Sequence, residues 1–206
     1  MRVVSIGAHP DDIEIGTGGT MAMHKKRGDE IHGVLCTLGG VRGDPKEREA
    51  EAQTAARLLG IQLHILDYPV SKLNKPSLEF VSMIKRILQD IAPDRVYSHS
   101  LEDYHQVHVG VGRSVLDAAN RVKQLLFFEV ISSTTTDFRP NAFVDITEFI
   151  ELKIKSIEAH RSQFADRQYL QPDVLMALAK TRYVWSKVGK RPDGYAEGFI
   201  IHRLIV

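Results

Sequence analysis

The sequence predicts an α/β fold, a mostly parallel sheet with helices on both faces. Two observations carry this. Short apolar, β-branched runs alternate with longer segments of helical periodicity over most of the chain. Helix start and stop signals (Asp44-Pro45, Gly60, Pro93) fall between those runs. Alternation of this kind implies right-handed crossovers joining parallel strands.

Taken in order, Val3 to Ile6 reads as a strand that stops at Gly7, and a polar turn then leads to a helix from Met21 to Arg27. Ile31 to Leu38 is the next strand, ending in Gly39-Gly40. Asp44 as N-cap, Pro45 at the first helical position and an acidic Glu47 open a helix that runs to Leu59 and stops at Gly60. Gln62 to Leu66 reads as strand. Ser77 to Ile91 reads as an amphipathic helix with Phe80, Val81, Ile84, Ile87, Leu88 and Ile91 on one face. After Pro93 come a strand from Arg95 to Ser98, a helix near Val109 to Arg121, strands at Leu125 to Val130 and Phe143 to Ile146, and a helix from Glu148 to Gln163. Residues 164 to 195 show little periodicity beyond a helix near Asp173 to Ala179 and a loop at Gly189 to Gly194, and Phe199 to Val206 is the last strand.

The 206 residues, 43% hydrophobic and 26% charged, suit one globular domain with a substantial core, and neither repeat nor linker divides them. A net charge of +1 gives no reason to expect a nucleic-acid partner. No apolar run approaches the ~20 residues that cross a bilayer, so membrane insertion is not expected. The single cysteine, Cys36, allows no intrachain disulfide and reads as an inert small hydrophobe in a strand. With no apolar leader in MRVVSIGAHPDD, the chain is expected to be cytoplasmic. Association with further copies of itself is left open.

In a doubly wound sheet, ligands bind beyond the carboxyl ends of the strands. His9-Pro10-Asp11-Asp12 lies there, after the first strand. His9 and Asp12 offer zinc-ligating donors that can meet on one cation across the turn, leaving Asp11 beside the metal to take a proton from water. His105-Gln106-Val107-His108 follows the strand ending at Ser98 and opens the next helix. A catalytic zinc needs three protein ligands and an open position, so one of these histidines can complete the set while the other faces the reacting group.

These residues carry a resemblance. Residues 7–20, GAHPDDIEIGTGGT, resemble the AHPDDxExGxGG signature of the PIG-L/LmbE-like zinc-dependent de-N-acetylases. DYHQVH at 103–108 is similar to that family's DxHxDH motif, EAHRSQ at 158–163 to its aHxSQ segment, and YAEGF at 195–199 to its YAEaF segment. The resemblance implies a Rossmann-like fold, one Zn2+ per chain held by His9, Asp12 and His108, Asp11 as general base, and His105 stabilising the oxyanion or protonating the leaving amine. It implies removal of an acetyl group from an N-acetylated amino sugar. Val107 stands where the family usually has an acid, a departure bearing on zinc affinity and on the protonation of His105.

Arg42 and Arg48 flank the loop after the second strand and are candidates to clamp substrate hydroxyls or phosphate, the resemblance favouring Arg48. Tyr195 is a candidate hydroxyl donor to substrate, against a plain place at a sheet edge. His160 is expected to order the site from a helix, and His99, at a strand end, to be structural. Gly16, Gly18 and Gly19 lack the GxGxxG spacing and no acid ends the strand at Leu35-Cys36-Thr37, so they read as close helix packing rather than a nucleotide cradle. Two other readings remain open: an amidohydrolase for a non-sugar N-acyl metabolite, and a catalytically silent metal- or sugar-binding protein. Retention of Asp11 argues against the silent one.

Overall fold

The structure, a computed structural model, describes residues 1–39, 43–164, 167–187, 189 and 191–205. Seven strands form one sheet: β1 (Arg2–Gly7), β2 (Glu30–Leu35), β3 (Gln62–Ile65), β4 (Arg95–His99), β5 (Gln124–Phe128), β6 (Ala142–Asp145) and β7 (Ala196–Leu204). The helices are α1 (Asp12–Lys26), α2 (Pro45–Leu59), α3 (Leu78–Ile91), α4 (Gln106–Ala118), α5 (Ile150–Glu158), α6 (Arg161–Phe164) and α7 (Pro172–Ser186). The sheet order is β3-β2-β1-β4-β5-β7-β6; the first five strands are parallel, and β7 runs antiparallel between β5 and β6. The predicted mostly parallel α/β sheet is therefore the observed one.

Strand alternation divides the core between the two faces. Val4, Ile6, Val96 and Leu125 pack beneath α3 and α4, while Val3, Tyr97, Leu126 and Phe128 pack against α1, α5 and α7. α3 buries Phe80, Ile84, Leu88 and Ile91 along one stripe, each worth about 1.5–3 kcal/mol when fully removed from water. Its N-cap is Ser77, whose hydroxyl oxygen accepts from the Phe80 N–H, and that of α2 is Asp44, which accepts from the Lys46 N–H. Gly60 closes α2 in the left-handed conformation, φ 73°.

Several boundaries differ from the sequence reading. α1 begins at Asp12, not Met21, and is buried along most of its length. Its glycines conceal the helix from a periodicity argument because they are contact points: a Cβ on Gly16 would stand 2.3 Å from the Phe128 ring, and one on Gly19 2.7 Å from Ile146. The segment expected as one helix from Glu148 to Gln163 is instead a short 3-10 turn (Thr147–Phe149), then α5 and α6, with His160 at the break between them. α7 is longer than expected, β7 starts at Ala196, and α4 starts at Gln106. Among the described residues, no helix is long and apolar enough to cross a membrane.

The chain winds outward from β1 through α1 and α2, then returns to β4 on the other side of β1. A crevice at the carboxyl ends of β1 and β4 follows from that reversal.

Candidate metal and substrate site

A cavity of about 660 Å³ opens at this crevice, and His9, Asp11, Asp12, Arg48, His105 and His108 line it together with Arg167 and Tyr169. Asp11, the N-cap of α1, has φ 103° and ψ −26°, in a region that costs a non-glycine residue on the order of 1–3 kcal/mol. Its capping position carries no side-chain hydrogen bond, and its Oδ2 is buried without a partner. Asp12, the first residue of α1, accepts the His9 N–H through Oδ2 at 2.6 Å, which closes the turn. Arg48 is buried and donates to the Pro10 carbonyl at 3.2 Å, bracing the same turn from α2. Gly39 makes room for it, since a Cβ there would lie 2.0 Å from Arg48 Nη1.

From the β4 side, Asp103 accepts the His105 N–H at 2.7 Å, and His105 caps α4 by accepting the Val107 N–H on Nδ1 at 3.3 Å. His108 lies one turn in, stacked between the rings of His105 and His99 at centroid distances of 4.3 and 4.1 Å. Its Nδ1 donates to Asp103 Oδ2 at 3.1 Å and lies 3.2 Å from the Ser133 hydroxyl. That bond fixes the tautomer and leaves the Nε2 lone pair facing the cavity.

Three donors are thereby brought together. His9 Nδ1 lies 3.3 Å from Asp12 Oδ2, His108 Nε2 lies 3.3 Å from His9 Nδ1, and His108 Nε2 lies 3.5 Å from Asp12 Oδ1. Donors bound tetrahedrally to one zinc at about 2.0–2.1 Å stand about 3.3–3.4 Å apart, a spacing the two histidines meet, while Asp12 faces them with different oxygens. Among the described residues, two groups offer single donor atoms that all lie within 4.8 Å of one another: His9, His105 and His108, and Asp12, His99 and His108. His105 and His99, which belong to these groups, each have a ring nitrogen engaged by the backbone. His105 spends its Nδ1 lone pair on the Val107 N–H and, when neutral, carries its proton on Nε2; His99 Nε2 accepts the Ala8 N–H at 2.9 Å. Oxygen and imidazole donors suit zinc, and the same donors also suit other transition metals.

Charge in the site is uneven. Burial, and after it the charge on Asp12, raises Asp11 above the ordinary carboxylate range. Burial also works to raise Asp12, but His108, His99 and His9 outweigh it and hold Asp12 well below that range. Burial, together with neighbouring His108 and His9, brings His105 down to about 4, so near pH 7 it is a neutral imidazole that donates from Nε2. His99 is drawn down to about 4 by burial and by His108.

The remaining candidates divide. Arg42 lies outside the described residues. Tyr195 does not line the cavity: its ring packs with Ile146, Ile150 and Ala179 beneath the Lys180 ammonium, because β7 enters the sheet beside β6. Val107 lines the cavity, and the carboxylate that orients His108 comes from Asp103 instead of position 107. His160 is fully buried, with Nε2 3.3 Å from Glu14. Cys36 is buried, and burial pushes its thiol pKa up, as suits an inert side chain. Sequence reasoning missed Arg167 and Tyr169, which lie where no periodicity marked structure, and gave Asp103 no role although it lies two residues before His105.

The chain is similar to known proteins over most of its length. The chain is 29% identical over 168 residues to the Escherichia coli (strain K12) uncharacterized deacetylase YaiS, covering 78% of this chain and 90% of that protein. It is 26% identical over 226 residues to 4-oxalmesaconate hydratase of Pseudomonas putida, covering 94% and 86%. The conserved protein TT1542 from Thermus thermophilus superposes with a TM-score of 0.85 at 26% identity, covering 99% of this chain and 95% of that one. The N,N'-diacetylchitobiose deacetylase of Pyrococcus horikoshii gives 0.77 at 27%, covering 97% and 83%. Residues 4–119, which hold most of β1, the His9–Asp12 turn and the His105–His108 segment, match the family described as PIG-L: GlcNAc-PI de-N-acetylase, and the chain belongs to that family.

Proposed function

We propose that this chain is a zinc-dependent hydrolase that removes the acetyl group from an N-acetylated amino sugar, and that its residues form a single domain around one metal. The observation that carries the reading is the convergence of His9, Asp12 and His108 with an unpartnered Asp11 oxygen in the same cavity. The family's description and the similarity to two deacetylases support the acyl group.

Zinc held by His9, Asp12 and His108 would supply Lewis acidity, polarising the acyl oxygen and easing ionisation of water. Asp11 takes the proton from the attacking water on Oδ2, the oxygen that no protein group occupies, and returns it to the departing amine nitrogen as the C–N bond breaks. His105, its Nδ1 engaged with the Val107 N–H, presents Nε2–H to the oxyanion. Asp103 holds His108 in the tautomer that leaves Nε2 free, and Arg48 holds the Pro10 carbonyl so that the Asp11–Asp12 pair keeps its orientation.

Incubating zinc-loaded protein with a panel of N-acetylhexosamine derivatives and measuring free acetate tests the reading. Asp11→Asn should retain one equivalent of zinc and lose most turnover, whereas His108→Ala should lose the metal. Zinc loss in Asp11→Asn with retention in Asp12→Asn would reverse the two roles.

The span of the similarity to 4-oxalmesaconate hydratase favours a second reading, hydration of an unsaturated acid at the same site. That reaction releases no acetate and removes the absorbance of a conjugated double bond, so both can be followed in parallel.

A further inference from the structure

We infer that Arg167 is a specificity-determining residue and that the substrate carries an oxyacid group, carboxylate or phosphate, which Arg167 and Arg48 receive in the cavity. This rests on the site proposed above and goes past it to the class of substrate. Arg167 is held in place: Nη1 donates to the Tyr169 hydroxyl, Nη2 to Gln163 Oε1, and the guanidinium carbon sits 5.7 Å from the Tyr169 ring centroid. Both hydrogen-bond partners are neutral. Among the described residues the one ion-pair contact of Arg167 is Asp11 Oδ2 at 3.9 Å, too long for a hydrogen bond. A guanidinium has five N–H donors, and two bonds leave the others for a ligand.

Arg48 adds a second such charge. It is buried, and its hydrogen bond goes to a neutral carbonyl. Its Nε is buried with no partner, and it makes no ion pair among the described residues. Arg48 and Arg167 line the same cavity.

Buried or half-buried arginines are ordinarily met by carboxylates at hydrogen-bond distance. Here the cavity offers Asp11 and Asp12 against Arg48 and Arg167, which balances only without a metal. A divalent ion on His9, Asp12 and His108 leaves the wall with two positive charges in excess. A neutral acetamido sugar would leave them uncompensated, whereas an oxyacid substituent accepts the planar donors of Arg167 directly.

The test is equilibrium binding, by titration calorimetry, to zinc-loaded and to metal-free protein. Three probes share one sugar: the methyl glycoside of N-acetylglucosamine, the carboxymethyl glycoside and the 1-phosphate. Inorganic phosphate and succinate serve as acids without the sugar. On zinc-loaded protein an acidic sugar should bind about tenfold to hundredfold more tightly than the methyl glycoside, and on metal-free protein, where the wall charges balance, the margin should narrow but persist. The stronger of the carboxylate and phosphate arms names the group. In Arg167→Gln this preference should collapse towards one, and Arg167→Lys should keep part of it. Equal binding of neutral and acidic probes by the wild-type protein, or a preference that survives in Arg167→Gln, overturns the inference. Acid preference without acetate release would instead sink the de-N-acetylase reading and leave Arg167 in place. Acetate release from neutral and acidic sugars alike, with indifferent binding, does the opposite.

Discussion

The side chain of His108 shows how much one tautomer decides. Its two ring nitrogens have different tasks, Nδ1 bound to Asp103 and Nε2 left towards His9 and Asp12. If Asp103 is removed, the ring is free to rotate or to carry its proton on the wrong nitrogen. Outer partners of this kind typically alter metal affinity by about 10- to 100-fold. Asp103→Ala should weaken zinc binding by that order in competition with a chromogenic chelator, while the protein still binds one equivalent at saturation. An unchanged affinity would reduce Asp103 to a brace for the His105 N–H. Val107 offers no acid beside His108, and among the described residues Asp103 is the carboxylate on Nδ1 of that ring.

At the scale of elements, α1 is the informative case. Midway along it, the N–H groups of Gly19 and Thr20 donate to Glu197 from β7, and Lys153 from α5 donates to the Ile15 carbonyl and pairs with Glu197. Gly18 lets Lys153 approach the helix, since a Cβ there would sit 3.2 Å from Lys153 Cγ. The buried pair thus ties α1, which begins at Asp12, to two elements from the far end of the chain. Removing one partner strands the other charge, for which breaking a buried pair typically costs about 3–5 kcal/mol. Glu197→Ala should lower the urea midpoint accordingly, and adding Lys153→Met should recover part of the loss. If the double variant is as unstable as the sum of the single ones, the pair is not coupled.

Much of this element was hidden in sequence. GTGGT offers no amphipathic period, and helix propensity opposes glycine, so α1 was legible only from Met21 onwards. Capping and periodicity made α2 and α3 legible almost to the residue, because surface helices advertise one apolar face. His9, Asp11, Asp12, His105 and His108 were legible as a cluster since both segments follow strands and carry donor side chains at close spacing. Arg167 was not, as its position depends on contacts with Gln163 and Tyr169 in a segment without period.

For the whole molecule, the two apolar cores lie on opposite faces of one sheet, and the candidate metal site joins β1–α1 to β4–α4 at the carboxyl ends of the two strands. Any ion held by His9, Asp12 and His108 connects residues about a hundred positions apart in the chain. It can be bound in this geometry only by the folded state, so its binding free energy adds to stability: about 2.7 kcal/mol when free metal is a hundredfold above its dissociation constant. For a chain of this size that is roughly a 5–10 °C rise in melting temperature. Heating the protein with zinc and after removal of metal by a chelator should therefore give single transitions separated by that interval, with cores and site melting together. His108→Ala should melt near the metal-free temperature and show no response to zinc. Two resolved transitions would break the single-domain proposal, and a zinc shift that persists in His108→Ala would place the stabilising ion elsewhere.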